Sequence, residues 1–235
     1  MHWYTVQGKP YHKHKGKDIS VAKARELGLF PSVSAIVDLM PRSDALERWK
    51  IKEISKRVFD APCPDFQDAL DYAYASHFKA LEKTQETGTS IHNAIEKRLL
   101  GLDHDLHQET VDVVMDWLEV NYGKVDWKTE HTFSHPDGYG GTCDLHSEDV
   151  VIDFKTKDFN PGDKVRGYPN HAAQLALYSR GLDIRGGEHV NLFISRNKPC
   201  VSSHVWQSKT IHKHKSTALC ALKMWQSHNG FNQEN

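Results

Sequence analysis

The stretch Gly140-Gly141-Thr142-Cys143-Asp144-Leu145-His146-Ser147-Glu148-Asp149-Val150-Val151-Ile152-Asp153-Phe154-Lys155-Thr156 decides how the chain reads. Glu148-Asp149 is an acidic pair of the kind tight turns accept, so two short strands are expected to flank it. In that register Ser147 faces Val150, and counting outward sets Asp144 directly across from Asp153. Side chains alternate along a strand, which puts Asp153 and Lys155 on one face and Ile152 and Phe154 on the other. On the partner strand Thr142 and Asp144 join the polar face, and Cys143 and Leu145 turn to the apolar one. Opposed residues have Cβ atoms roughly 4.5–5.5 Å apart. Two carboxylates that close repel by about 3 kcal/mol at an effective dielectric of about 20. A divalent cation is the usual answer to such a pair.

A plainer reading is a half-exposed hairpin with solvated charges on one side. Against it, the acids adjoin an apolar run, Val150-Val151-Ile152, that reads as a buried central strand. A one-residue slip would undo the pairing, so the reading depends on an even-length turn.

Further motifs stand around this hairpin. Gly141-x-x-Asp144 and Asp153-x-Lys155-Thr156 are followed by Gln174-x-x-x-Tyr178. Upstream lie Gly88-x-x-x-His92, and before it Phe30-Pro31-Ser32-Val33-Ser34 with Leu46-Glu47-Arg48-Trp49. Together, and in this order, they resemble the PD-(D/E)XK nucleases in the branch of the RecB nuclease domain. That branch includes the mitochondrial genome maintenance exonuclease and phage exonucleases. The resemblance spans roughly residues 28 to 182. Cys143 stands where the family name has proline, a position that varies within the branch.

The resemblance implies an α/β fold like that of restriction endonucleases, a mixed β-sheet flanked by helices with a helical N-terminal region. It implies metal-dependent hydrolysis of DNA phosphodiesters. Asp144 and Asp153 would hold Mg²⁺ or Mn²⁺ with the main-chain carbonyl of Phe154, and His92 would complete the shell. Lys155 would orient water or steady developing charge, and Glu130 and Glu96 are possible accessory acids. Gln174, Tyr178, Gly141, Ser32, Ser34 and Trp49 are implied to position the substrate. Gly140-Gly141 would let backbone approach backbone. The alternatives within this reading are a structure-specific or CRISPR-adaptation-like endonuclease, or a DNA-binding module without catalysis.

Around these residues, 235 residues suit a single nuclease domain, 1–125 mainly helical and 126–235 carrying the catalytic sheet. Hydrophobic content of 38% is enough to fill a core. The formal charge of −1 advertises no global field for nucleic acid, so phosphate contacts must come from local clusters. Two such clusters are His12-Lys13-His14-Lys15 and His212-Lys213-His214-Lys215, each readable as a phosphate contact or a solvated face. Cys63, Cys143, Cys200 and Cys220 form no Cys-x-x-Cys pair, so neither an iron–sulfur cluster nor a structural zinc is expected. Their scatter fits a reducing compartment, and no apolar run reaches membrane-spanning length. The chain is expected in the cytoplasm, with DNA as its partner and no partner protein specified.

The period of the apolar residues predicts the remaining elements. A helix break falls at Met40-Pro41, with Ser43 or Asp44 capping the next helix and Leu46, Trp49 and Ile54 on its inward stripe. A long helical stretch follows from about 66 to 100, with possible breaks near Thr87-Gly88. Its last part carries a buried stripe of Ile91, Ile95 and Leu99, with His92 and Glu96 together on the adjacent flank. Helices at 108–122, from Pro169 to about Gly181, and at 209–227 complete the set. Strands run from about Trp127, at Val190–Ser195 and at Val201–Trp206, and residues 157–168 form a loop. Trp3, Tyr4, Tyr11 and Trp49 are candidate exposed rings on which single-stranded bases could stack. With no base-reading helix evident, a preference for single-stranded DNA or single-stranded ends is expected.

Overall fold

The computed structural model describes residues 1–41 and 44–231, with Ala45 and Leu46 described in backbone only. Ser43 and the Leu46 side chain therefore lie outside the described residues. In chain order the elements are β1 (Trp3–Tyr4), β2 (Lys13–His14), β3 (Lys17–Asp18), α1 (Val21–Glu26), β4 (Phe30–Pro31) and α2 (Val33–Val37). There follow α3 (Asp44–Phe59), α4 (Phe66–Leu99), α5 (Gln108–Tyr122), β5 (Lys128–His135), β6 (Tyr139–His146) and β7 (Val150–Lys157). The chain closes with α6 (Pro169–Gly181), β8 (Glu188–Ser195), β9 (Val201–Val205) and α7 (Ser208–Asn229).

Residues Met1–Met40 with Ala94–Asn235 form one compact unit, and Pro41–Asn93 form a second, smaller one. The larger unit is built on a five-stranded sheet in the order β5-β6-β7-β8-β9. Only β7 and β8 pair in parallel, and α6 makes the crossover between them. This is the mixed sheet flanked by helices that the sequence leads one to expect. β7 is buried along Val150–Phe154 because it is a central strand with both neighbours present.

Helix α6 is buried nearly all round, which explains its small and apolar residues, Ala172, Ala173, Leu175, Ala176 and Leu177. It packs on the sheet on one side and against α2 and α7 on others. Pro169 sits in its first turn, where a missing N–H costs nothing. On the N-terminal side, Trp3 is wholly buried against Trp225 and Phe231, and its indole donates to the Ile19 carbonyl at 3.1 Å. Tyr4 is buried too, its hydroxyl 2.9 Å from Thr142 Oγ1. Both rings were candidates for stacking on bases, and both instead fasten the N-terminus to the core.

In the smaller unit, α3 and α4 present many exposed rings. Trp49 is 49% exposed rather than turned inward, and Phe59, Phe66, Tyr72, Tyr74 and Phe78 are exposed as well. α4 shows no break at Thr87-Gly88. A glycine in a helix interior costs about 1 kcal/mol, which a long helix propagating from both sides absorbs. Among the described residues no helix is long and apolar enough to cross a membrane.

Candidate active site

The β6–β7 hairpin closes as its residues dictate. Ser147 donates its N–H to the Val150 carbonyl at 2.9 Å around the Glu148-Asp149 turn, and Leu145 pairs with Ile152. Continuing that count sets Asp144 opposite Asp153. The described strand pairing, however, stops at Leu145. In place of a ladder bond, the Phe154 backbone N–H donates to Asp144 Oδ2 at 2.7 Å. On the other side of Asp144, β5 pairs Thr129 with Leu145 and His131 with Cys143, which sets Glu130 opposite Asp144 by count. Glu130 has φ +44°, in the left-handed region that a side chain with a Cβ rarely adopts. The sheet is thus irregular on both flanks of one carboxylate.

This irregularity corrects the simple alternation. Cys143 lies in the same buried cluster as Val151 and Leu175, although strict alternation puts Cys143 and Val151 on opposite faces. A local departure of this kind re-aims side chains, as bulges do beside active sites. Gly141 makes room for rings rather than for another backbone: a Cβ there would stand 2.9 Å from the Phe133 ring and 3.1 Å from the Tyr178 ring. At Gly140 the expected close backbone approach is present, since Ser32 bridges to it, and Tyr4 crowds the same position at 2.6 Å.

Asp153 sits in a regular ladder and is 1% exposed. Lys155 Nζ lies 2.5 Å from its Oδ2 and 3.2 Å from Gln174 Oε1. Gln174 in turn donates through Nε2 to the Tyr178 hydroxyl at 2.8 Å. Lys155 and Gln174 come from β7 and α6, and the helical spacing brings Gln174 and Tyr178 to one flank. The structure therefore joins Asp153, Lys155, Gln174 and Tyr178 in one hydrogen-bonded chain.

Two members of that chain were missed in the sequence. Asn191, wholly buried and paired with Asp153 on parallel β8, donates through Nδ2 to Asp153 Oδ2 at 2.7 Å. Trp206 Nε1 donates to Asn191 Oδ1 at 2.7 Å. The signal was present, because Asn191 interrupts Val190-Asn191-Leu192-Phe193 as Asp153 interrupts its own apolar strand. Trp206 gave none, since a tryptophan after a strand is ordinarily packing.

Acidic charge gathers beside this chain. Glu130 and Asp144 each offer an oxygen within 4.8 Å of the other. Burial pushes the Glu130 carboxyl up to about 7, helped by the charges of Asp144 and Glu96. Burial also raises Asp144, against the pull of Lys155 and the Phe154 N–H. A buried carboxyl pushed up to about 7 beside a second buried acid is the observation that fits a cation. Carboxylate oxygens suit hard Mg²⁺ or Mn²⁺. In an extended strand the N–H and C=O of one residue point to the same side, so the Phe154 carbonyl faces the side of Asp144.

The other candidates fall as follows. Glu96 is half-buried on α4 within the larger unit, and His92, half-buried one turn earlier, belongs to the smaller unit. Ser32 is buried at the N-terminus of α2, where its Oγ accepts from the Ala35 N–H at 3.2 Å and lies 2.9 Å from Ser34 Oγ. Ser34 is exposed, and Trp49 lies on the smaller unit.

No family model and no curated protein sequence matches the chain. Solved structures of exonucleases do resemble it. A candidate exonuclease from Eubacterium rectale aligns over 95% of this chain and 89% of its own, at 9% identity and a TM-score of 0.49. An alkaline exonuclease from Laribacter hongkongensis aligns over 88% of this chain and 93% of its own, at 11% identity and a TM-score of 0.40. The protein SSO0001 is matched over 46% of this chain, which spans about half of that protein (54%), at 16% identity and a TM-score of 0.28. At such distances the site's own geometry has to carry the functional reading.

Proposed function

We propose that the chain is a metal-dependent DNA exonuclease that hydrolyses phosphodiester bonds and prefers single-stranded DNA or single-stranded ends. The carrying observation is the placement of Lys155, held by Asp153 and Gln174, beside the Glu130–Asp144 acidic pair. Asp144, Asp153 and the Phe154 carbonyl would hold Mg²⁺ or Mn²⁺, with Glu130 as an accessory acid. Bound there, such an ion would polarise a phosphate and make hydroxide available near neutral pH.

The chain's own groups supply the rest. Asp153 and Gln174 fix the Lys155 ammonium, which has three donor hydrogens and spends two on them. The third is left to orient an attacking water or to meet charge developing on the phosphate. Tyr178 and Gln174 set the direction of Lys155 rather than react. Asn191 and Trp206 hold Asp153 from the far side. His92 stands one helical turn before Glu96, and the family resemblance gives it a ligand's role.

The preference for single strands rests on the smaller unit. Its exposed Trp49, Tyr72, Tyr74 and Phe78 offer faces on which bases of any identity stack, each contributing roughly 1–3 kcal/mol. The test uses linear and covalently closed single-stranded DNA with Mg²⁺ or Mn²⁺. Linear strands should shorten progressively while circles survive. Rapid linearisation of the circles would establish the endonuclease alternative. Binding without cleavage in every metal would establish the non-catalytic one.

A further inference from the structure

Basic charge is gathered at one end of the chain. Residues 1–25 hold six lysines and arginines against one acid, Asp18, a net +5 in a chain of −1, which leaves −6 on residues 26–235. Such asymmetry is the mark of a surface for a polyanion. Its centre is the string His12-Lys13-His14-Lys15, which the sequence leaves open between a phosphate contact and a solvated face.

In the structure this string is a built hairpin. β2 and β3 pair antiparallel, Lys13 with Asp18 and His14 with Lys17, around the two-residue turn Lys15-Gly16. Both turn residues have positive φ, +50° and +78°, as the tight turn that matches strand twist requires. Asparagine or glycine takes the first of these positions easily, yet here a lysine is held there, with its charge at the tip. Lys9, Lys13, Lys15 and Lys17 are all exposed. Lys23 pairs with Glu26 at 2.6 Å, whereas among the described residues these four make no ion pair.

Both feet of the hairpin stand on Trp3, which is wholly buried. Tyr11 donates its N–H to the Trp3 carbonyl at 2.8 Å, and Trp3 donates its own to His12 Nδ1 at 3.1 Å. The Trp3 indole holds the Ile19 carbonyl on the returning side. The next residue, Tyr4, reaches the catalytic sheet at Thr142, two residues before Asp144. Burial, and after it the charge of Glu130, raise the Tyr4 hydroxyl against that hydrogen bond. The basic hairpin is thus joined through Trp3-Tyr4 to the strand that carries Asp144.

The hairpin offers charge and little else. Its one ring, Tyr11, is 37% exposed and has its hydroxyl 2.9 Å from His14 Nδ1. Lysines acting alone contact phosphates and read no sequence. They gain most where phosphates are densest, and a duplex carries one charge per about 1.7 Å of its axis, twice the density of either strand. Single strands call instead for rings beside charge. A two-stranded ribbon also fits the major groove of a duplex.

We propose that the β2–β3 hairpin grips the phosphate backbone of duplex DNA beside the single-stranded end that the site would shorten, through Lys13, Lys15 and Lys17. The choice of DNA as the polyanion rests on the nuclease reading above.

The test is fluorescence anisotropy of the full chain in chelator, where cleavage is silent, with a blunt duplex and a single strand across a salt series. Changing Lys13, Lys15 and Lys17 together to Gln should lower the slope of log K against log salt on the duplex by about 2 to 3, at about 0.9 per phosphate contact. The deficit in affinity should be greatest at low salt. On the single strand the slope should barely move. Changing the same three residues to Arg should keep the parent's slope, which separates charge from any role in folding. An unchanged duplex slope in the Gln variant would overturn the proposal. So would an equal fall on both DNA forms, a loss shared by the Arg variant, or no duplex binding by the parent at low salt. In Mg²⁺ the Gln variant should shorten free single strands at the parent's rate. A protein that binds as expected but cleaves nothing in any metal keeps the hairpin's role and loses the nuclease reading.

Discussion

The Phe154 backbone N–H donates to Asp144 Oδ2 at 2.7 Å, at the point where the described β6–β7 pairing stops. The side chain of one acid thus stands where a ladder bond would be. The other acid, Asp153, is held by the side chains of Lys155 and Asn191. The two aspartates are anchored by different means, so their removal should differ in cost even where the loss of activity is the same.

Asp144→Asn should leave the metal-free fold as stable as before or slightly more so. It relieves the repulsion with Glu130, and the amide oxygen still accepts from Phe154. Asp153→Ala should destabilise by about 1–3 kcal/mol, because buried Asn191 and Lys155 lose an acceptor. Both should lower cleavage by at least about a hundredfold. Thermal melts in chelator beside a nuclease assay read this. Near-normal turnover in either variant would remove that aspartate from the site.

Asn191 acts through Asp153 and Trp206, so its effect should be one of coupling. Asn191→Ala and Trp206→Phe should each destabilise, and the double variant should fall short of their sum by roughly 0.5–3 kcal/mol. Denaturant melts of the four proteins give that difference. Simple additivity would mean that the two hydrogen bonds do not act together. Neither change should shift the metal requirement as the loss of Asp144 would.

The hairpin, its two acids and Lys155 were legible because a period-two pattern reports which side chains share a face, whereas the Gln174–Tyr178 pair was singled out by the family resemblance, the helical spacing adding only that the two share a flank. What escaped was of another kind. The break in alternation at Asp144 arises from Glu130 and a backbone–side-chain bond, and neither changes a hydrophobic pattern. Trp3 and Tyr4 were misread as exposed because a two-residue strand has no period. Their burial depends on Trp225 and Gly140, far along the chain. Asn191 was legible in principle, as a polar residue in a buried strand, but its partner is set by the parallel register of β7 and β8.

The metal-free protein should lose stability as pH rises from about 4.5 to about 7, through Glu130. Its carboxyl titrates at about 7 in the fold against 4.5 ordinarily, so the folded state binds a proton more tightly than the unfolded. That contribution is fully present below about pH 4.5 and is lost as pH rises through about 7. Its size is on the order of 2 kcal/mol. Glu130→Gln keeps the neutral shape at every pH. The stability difference between variant and parent should therefore grow in the variant's favour from pH 5 to 8 in chelator. A constant difference across that range would mean that Glu130 is not held protonated.

His92 offers the means to separate a ligand from a packing residue. Carboxylates and carbonyls suit Mg²⁺ and Mn²⁺, while an imidazole adds affinity for metals of intermediate softness such as Co²⁺. If His92 ligates, His92→Ala should reduce activity less than the aspartate changes do. It should also cost more with Mn²⁺ and Co²⁺ than with Mg²⁺, because the lost nitrogen contributes least to the hardest ion. His92→Asp supplies an oxygen in its place and should recover Mg²⁺-supported cleavage better than Co²⁺-supported cleavage. The measurement is the cleavage rate of a labelled single strand against metal concentration, for each metal and variant. Rates that fall by the same factor in all three metals, with no recovery in His92→Asp, would assign His92 to the packing of α4 and leave the metal to the carboxylates alone.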